Sequence, residues 1–178
     1  MQKRKPSKPI RFHRDTLLFH HSIRIGRKGK PIRISKFRTM KRDAVYGFSP
    51  HDITGRGRLL ANDARVTKLG KLLRRFHVDE LPQIWNLLKG ELSLVGIRPM
   101  SRQEYRGLPE EIKKIHTEMG PGLAGLAYAC KTFPPTEREL FDTFREFYAL
   151  WKISPVKAQL VFGVRIAKNK LLGRAPSV

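Results

Sequence analysis

Residues 77–100 change quickly from a helical to an extended pattern. Four apolar residues first recur at helical spacing, at Leu81, Ile84, Trp85 and Leu88. Gly90 is a stop signal, and the apolar run at residues 92–95 then predicts a short buried strand. Short helices that alternate with short strands in this way predict a single α+β domain that is mainly helical.

An acidic pair opens the first helix of this stretch. Asp79 suits an N-cap, and Glu80 and Pro82 suit the first turn. Both carboxylates are therefore expected near free backbone N–H groups, which also attract phosphate. Two carboxylates repel a phosphate unless a hard cation such as Mg²⁺ lies between them, so that one can attack while the other holds the metal. From these residues alone, a plain helix cap is the more common explanation.

The charge indicates a polyanionic partner. Residues 1–42 hold fifteen Lys or Arg and one acid, Asp15, and the 178-residue chain has a formal net charge of +22. Nucleic acid and an anionic membrane surface both reward such a charge. Residues 1–16 are interpreted as a basic tail that could serve either partner or neither. The single Cys130 excludes an internal disulfide framework and a thiolate-rich zinc site.

Two amphipathic helices are predicted near the C terminus. Thr136-Glu-Arg-Glu139 is a capping-box pattern, and the helix after it places apolar residues on one face, at Leu140, Phe144, Phe147, Tyr148 and Trp151. Ser154-Pro155 begins a second helix with another apolar stripe, at Val156, Leu160, Val164, Ala167 and Leu171. The second helix suits a membrane surface or a core-packed helix with a basic solvent face, and the pattern leaves both open.

Local signals predict the remaining elements. Apolar spacing from Val66 to Phe76 predicts a helix that leads into the acidic pair, Ser101-Arg-Gln-Glu104 is a second capping box, and residues 110–118 are predicted to be helical. Residues 46–58 contain several glycines and are predicted to form an irregular loop that could lie over the site.

Three ordered blocks resemble the signature of the bacterial sugar transferases, the monotopic polyprenyl-phosphate hexose-1-phosphate transferases. Residues 24–40 resemble the family's glycine turn and its Lys-Phe-Arg-Thr-Met element. Residues 62–74 resemble the segment that follows. Asp79-Glu-Leu-Pro-Gln, with Leu88-Lys-Gly-Glu-Leu-Ser-Leu-Val-Gly-Ile-Arg-Pro after it, resembles the catalytic block. The resemblance covers a little under half of the chain, and it implies a catalytic domain over residues 17–178 with a short β-hairpin and amphipathic interfacial helices.

The resemblance also implies a mechanism. Asp79 would attack a UDP-sugar, release UMP and form a covalent phosphosugar–enzyme, which polyprenyl (undecaprenyl) phosphate then resolves to initiate surface polysaccharide or glycoconjugate synthesis. Glu80 would bind Mg²⁺, and Arg98 would contact phosphate. Lys36 and Arg38 are further phosphate-binding candidates. The protein is then expected on an anionic membrane surface at the cytoplasmic face of the bacterial inner membrane, with no nucleic-acid partner.

For Lys36 and Arg38 a plainer interpretation stays open. Both could lie on the solvated face of a hairpin strand, because Ile32, Ile34 and Phe37 could mark its buried side.

The sequence departs from the family pattern at three places. Family members begin with a hydrophobic helical hairpin, and this sequence has no run of ~18 apolar residues, so we expect either that the anchor is absent or that a start site lies further upstream. The corner reads Ile97-Arg-Pro rather than Pro-Arg-Pro. Residues 120–128 lack the arginine, the threonine and the glutamine that the family usually has at Gly120, Ala124 and Tyr128. These departures favour a second hypothesis, a degenerate paralogue that binds without turnover. A basic nucleic-acid-binding module is a third and weaker hypothesis, because it predicts base-stacking aromatics that the helical stripes do not provide.

Overall fold

The computed structural model describes residues 18–41 and 66–174, so the basic tail and the predicted loop at residues 46–58 lie outside the described residues. In chain order the elements are β1 (Phe19–Ile25), β2 (Pro31–Phe37), α1 (Lys68–Arg75), a 3₁₀ turn (Val78–Gln83), α2 (Ile84–Leu88), β3 (Ser93–Gly96), α3 (Arg102–Arg106), α4 (Glu110–Met119), β4 (Gly122–Gly125), α5 (Glu137–Ile153) and α6 (Pro155–Leu171). The predicted α+β fold, mainly helical and with a short hairpin, is confirmed.

The hairpin of β1 and β2 places a cation on its buried face. Ile32 and Ile34 are buried, and Lys36 shares their face because side chains alternate along a strand. Phe37 points to the opposite face, where its ring stacks on Phe19 with the centroids 5.3 Å apart. The interpretation that Phe37 marks the buried side, with Lys36 on the solvated one, is therefore wrong.

The acidic pair lies in a 3₁₀ turn and not at the start of an α-helix. His77 precedes this turn in a left-handed conformation, with φ of 54°. Val78 is the first residue of the turn, so Asp79 lies inside it and makes no side-chain cap. The predicted N-cap role of Asp79 is wrong, because the left-handed His77 reverses the chain before the turn begins. We name Val78–Gln83 the dyad segment.

The dyad segment and α2 bury polar residues and expose apolar ones. Gln83 and Asn86 are buried, and the Asn86 amide donates to the Arg33 carbonyl at 2.9 Å and to the Glu91 carboxylate at 2.6 Å. The apolar stripe that was expected from the sequence is largely exposed, at Leu81, Ile84, Trp85 and Leu88. Leu81 and Ile84 line the cavity that is described below, whereas Trp85 and Leu88 are the most exposed residues of the stripe.

Strands β3 and β4 form a short parallel pair that passes through the core. Glycines make their close approach possible, since a Cβ at Gly122 would lie 2.1 Å from the backbone nitrogen of Gly96. The two strands hold the Ile97-Arg98-Pro99 corner, which follows β3, beside the chain that follows β4. We name it the Arg98 corner, and both segments belong to one wall of the site described below.

Helices α4, α5 and α6 pack around these strands. The predicted stripe of α5 is in the core, where Leu140, Phe144 and Phe147 are buried. Helix α6 turns a different face inward, with Ala158, Phe162 and Ile166 buried. Its Gln159 side chain accepts from the Val95 N–H at 2.6 Å and donates to the Val95 carbonyl at 2.9 Å, which saturates the edge of β3.

The sequence-predicted stripe of α6 is exposed instead. Val156, Leu160 and Val164 are 65–69 % exposed, and Leu171 is 88 % exposed. Among the described residues, no helix is long and apolar enough to cross a bilayer. Helix α6 thus carries two apolar faces, and only one of them packs against the described part of the chain.

Candidate active site

A cavity of about 390 Å³ lies where the hairpin, the dyad segment, the Arg98 corner and β4 meet α5 and α6. Its polar side contains Ser22, Arg24, Lys36, His77, Glu80 and Arg98. Its apolar side contains Leu126, Tyr128, Phe133, Phe144 and Ile166. The cavity wall therefore combines charged and apolar side chains.

The acidic pair Asp79 and Glu80, called the dyad from here on, lies beside the charged residues of the cavity wall. The Lys36 ammonium is in direct contact with the Glu80 carboxylate, and Glu80 is part of the cavity wall. Asp79 lies beside this pair with its carboxyl half-buried, but it is not itself a wall residue. Burial raises the pKa of Asp79, and the Glu80 charge adds to that rise, while Lys36 opposes it. Lys36 therefore favours the ionised form of Asp79 and forms an ion pair with Glu80.

Two arginines meet one glutamate at the next part of the wall. Arg98 donates to Glu104 at 2.6 Å, and Arg24 donates to the same carboxylate at 3.2 Å. Glu104 also completes the predicted capping box of α3 with Ser101, which is confirmed. Burial alone would raise the pKa of Glu104, but Arg98, the Ser101 hydrogen bonds and Arg24 hold it below its usual range. The glutamate therefore stays ionised and orients both guanidinium groups.

A third group of residues closes the cavity from α6. The rings of Tyr128 and Phe133 stack with their centroids 5.2 Å apart, and the Lys170 ammonium lies 5.0 Å from the centre of the Tyr128 ring. The same ammonium is 3.4 Å from Nε2 of His77. Burial and Lys170 together lower the pKa of His77. Helix α6 is thus connected to the residue that precedes the dyad segment.

The sequence-predicted site residues are only partly brought together. Lys36, Glu80 and Arg98 line one cavity, and Asp79 is adjacent to it. Arg38 follows the end of β2, where its backbone N–H donates to the Leu18 carbonyl, and it is not among the described residues that line the cavity. Their proposed roles stay predictions.

The divergent segment at residues 120–128 forms part of the wall. Ala124 and Tyr128 both line the cavity, at positions where the family pattern has threonine and glutamine. At Gly120, φ is 81°, and a Cβ there would lie 3.0 Å from Cβ of Arg27. An arginine would be strained at this position. The departures therefore change the surface that a ligand meets.

Sequence reasoning missed several wall residues, among them Arg24, His77, Gln83 and Lys170. Arg24 lay within a matched block without an assigned role, and His77 and Lys170 gave no local signal because they meet only through the tertiary fold. Gln83 is buried on the wall, and its amide nitrogen has no hydrogen-bond partner among the described residues. A buried donor without a partner is uncommon and is consistent with a ligand-binding wall.

The dyad suits a metal site in which the protein supplies only one or two carboxylates. The described residues contain no cluster of three or more His, Cys, Asp or Glu side chains that could hold an ion. Magnesium, however, often takes one or two carboxylates from the protein, while water and substrate phosphates complete its shell. The neighbouring carboxylates of Asp79 and Glu80 fit that donor set.

A comparison with protein families gives a match over most of the chain. The profile described as "Bacterial sugar transferase" matches residues 9–167. The chain belongs to the bacterial sugar transferase family. The family resemblance of the three sequence blocks is thereby confirmed, and Lys170 lies just beyond the matched range of this family member.

Curated relatives of this sugar transferase carry consistent names. The "Uncharacterized sugar transferase EpsL" of Bacillus subtilis is 41% identical over 112 residues, which are 62% of this chain and 50% of that protein. The "UDP-glucose:undecaprenyl-phosphate glucose-1-phosphate transferase" of Klebsiella pneumoniae is 41% identical over 108 residues, 59% of this chain and 22% of that protein. The "Putative undecaprenyl-phosphate N-acetylgalactosaminyl 1-phosphate transferase" of Bacillus subtilis is 36% identical over 105 residues, 59% of this chain and 55% of that protein. The matched region is about half or less of each relative's length.

Proposed function

We propose that this protein transfers a sugar-1-phosphate from a UDP-sugar to polyprenyl phosphate, a step that initiates surface polysaccharide or glycoconjugate synthesis. The observation that carries the proposal is the packing of the Asp79–Glu80 dyad against Lys36, at a cavity that also contains Arg24 and Arg98. Guanidinium groups match phosphate oxygens in two-point contacts. Relatives named as undecaprenyl-phosphate transferases support the choice of acceptor.

Asp79 is the proposed nucleophile. One of its carboxylate oxygens would form a bond to the β-phosphorus, and the bond between that phosphorus and the bridging oxygen of the diphosphate would break. UMP leaves with the electron pair. A phosphate oxygen of the acceptor then attacks the same phosphorus, which restores the carboxylate and gives a diphosphate-linked sugar. The aspartyl intermediate splits one transfer into two displacements.

Glu80 is the proposed residue for Mg²⁺. The bound cation would neutralise charge on the transferring phosphate. Lys36, which contacts Glu80, would add positive charge beside the transferring phosphate.

We also propose that the protein lies on an anionic membrane surface, at the cytoplasmic face of the bacterial inner membrane. Two exposed apolar surfaces support this placement, namely the stripe of α6 and the outer face of the dyad segment and α2. The formal net charge of +22 would add attraction to anionic lipids. A membrane-bound acceptor would then reach the cavity without leaving the bilayer surface.

A second candidate is a degenerate paralogue that binds substrate without turnover. The observation that favours it is the position of Ala124 and Tyr128 on the cavity wall, where the family pattern has polar residues. Loss of the threonine hydroxyl at Ala124 and exchange of an amide for a phenol at Tyr128 would alter the hydrogen bonds to substrate and lower transition-state binding.

The deciding experiment measures UMP release from a panel of UDP-sugars, with Mg²⁺ and undecaprenyl phosphate in nanodiscs. Asp79→Asn is expected to lower release by on the order of a thousandfold or more, because the amide cannot form the intermediate. Glu80→Gln is expected to shift the Mg²⁺ dependence to higher concentration. Asp142→Asn, an exposed residue that pairs with Arg145, is the matched control.

Two outcomes would count against the transferase. Undiminished UMP release by a folded Asp79→Asn variant would remove the nucleophile assignment. No release from the folded parent protein with any UDP-sugar would favour the degenerate paralogue.

A further inference from the structure

The cations of the cavity differ in their partners. Lys36 contacts Glu80, and Arg24 and Arg98 both bind Glu104. Lys170 is the fourth cation of the wall, and its contacts in the described part of the chain are the His77 imidazole and the Tyr128 ring. No described carboxylate forms an ion pair with it. Lys170 therefore contributes positive charge to the cavity that the described acids do not neutralise.

The contact with His77 determines how many N–H donors of the Lys170 ammonium remain available. The Lys170 ammonium lies 3.4 Å from Nε2 of His77, and because an ammonium can only donate, the ring nitrogen is the acceptor of any hydrogen bond between them. Lys170 has three N–H donors, and this contact uses one of them. The remaining donors are available to an acceptor in the cavity. Since His77 directly precedes the dyad segment, that acceptor would lie close to the proposed reacting phosphate.

Lys170 could have a simpler role, which is to stabilise the C-terminal end of α6. This role has to be distinguished from ligand binding. Lys168 and Lys170 both lie in the last turn of α6, where a cation is favourable beside the helix C-terminus. Only Lys170 lines the cavity. A function confined to helix stability would therefore be shared by both residues, whereas a function in ligand binding would belong to Lys170 alone.

We propose that Lys170 binds a phosphate group of the ligand in the cavity, beside His77. The inference rests on the proposed function and extends it to a residue beyond the stretch that the family profile matches. The phosphate belongs to the nucleotide donor or to the lipid acceptor, which present the same oxygens. Lys170 thereby supplies a cation from α6 to the cavity wall.

The test measures binding rather than turnover, with UDP, uridine and farnesyl phosphate as probes at a fixed Mg²⁺ concentration. Lys170→Ala is expected to weaken binding of UDP, farnesyl phosphate or both by about tenfold, because one charge-assisted contact is lost. The probe that is affected identifies the source of the phosphate. Uridine, which has no phosphate, is expected to bind equally well. Lys170→Arg should retain most of the affinity, and Lys168→Ala should match the parent protein.

Three results would overturn the inference. They are unchanged affinity of Lys170→Ala for both phosphates, an equal loss of uridine binding, and failure of the parent protein to bind either phosphate probe. The role of Lys170 can also be tested independently of the proposed transfer reaction. A parent protein that binds UDP but releases no UMP from UDP-sugars would contradict the transfer reaction, while the comparison of Lys170→Ala with Lys168→Ala would still decide the role of Lys170.

Discussion

Helices α5 and α6 have the same length of 17 residues and pack against each other, yet they use their apolar residues differently. The stripe of α5 lies in the core, where Phe147 is 1% exposed. The stripe of α6 is exposed, and a second set of residues faces inward, including Phe162, whose ring meets Phe147 edge-on at 5.0 Å. Apolar periodicity therefore predicts a helix but does not determine which environment its stripe occupies.

The largest expected effect is a difference in the free energy of unfolding between a variant in the α5 stripe and a variant in the α6 stripe. Phe147→Ala should lower the free energy of unfolding by about 3–5 kcal/mol, because it removes a buried ring and leaves a cavity. Leu160→Ala, on the exposed stripe, should change it by less than about 0.5 kcal/mol. Urea unfolding of both variants measures the difference. A loss at Leu160 as large as that at Phe147 would mean that the α6 stripe is buried within this protein.

A smaller effect concerns a titratable group in the core beside α5. His116 of α4 is fully buried, and its ring packs edge-on against Tyr105. Neither ring nitrogen has a hydrogen-bond partner among the described residues. Burial lowers the pKa of His116 from 6.5 to about 4. The unfolded chain therefore takes up a proton at this site at a higher pH than the folded protein does.

The sign of the pH effect follows from this difference. The stability that comes from keeping His116 neutral in the folded state is fully present above pH 6.5. As the pH falls toward 4 it is lost, which lowers the free energy of unfolding by about 3 kcal/mol. His116→Leu should remove this part of the pH dependence without a large cost at neutral pH, since it also removes two unpartnered ring nitrogens. Unfolding measured at pH 7 and pH 4.5 for both proteins tests it. Equal pH dependence of the two would contradict the assignment.

Local signals were sufficient for much of the fold. The Ser101–Glu104 capping box predicted α3, and the Ser154-Pro155 start of α6 is present, with the Ser154 hydroxyl accepting from the Lys157 N–H. The predicted box at Thr136 is only half formed. Thr136 accepts from the Glu139 N–H, but the Glu139 carboxylate accepts from residues 131 and 132 instead. Tertiary neighbours competed there for a side chain that the local pattern assigned to the cap.

The site was less predictable because its geometry is non-local. The sequence identified Asp79 and Glu80 through a motif, but it placed Asp79 at an N-cap, and the left-handed His77 shifts it into a 3₁₀ turn. Strand parity, fixed by the pairing of β1 and β2, decides that Lys36 faces the dyad. The contact between Lys170 and His77 joins residues 93 positions apart, so no local pattern could have indicated it.

The smallest expected effect in free energy tests what covers the exposed stripe of α6. Leu160→Asp should lower binding to vesicles rich in phosphatidylglycerol by about tenfold, because the side chain would no longer enter the apolar layer and its charge would oppose the anionic surface. Stability should change little, as Leu160 is 65% exposed. Gln103→Asp on α3 carries the same charge change at an exposed position and is the matched control. Vesicle co-sedimentation at two salt concentrations separates the apolar part of the effect from the electrostatic part, since only the latter is screened. An equal loss in both variants would assign membrane binding to net charge alone, and the contrast between the stripes of α5 and α6 would then need a partner other than lipid.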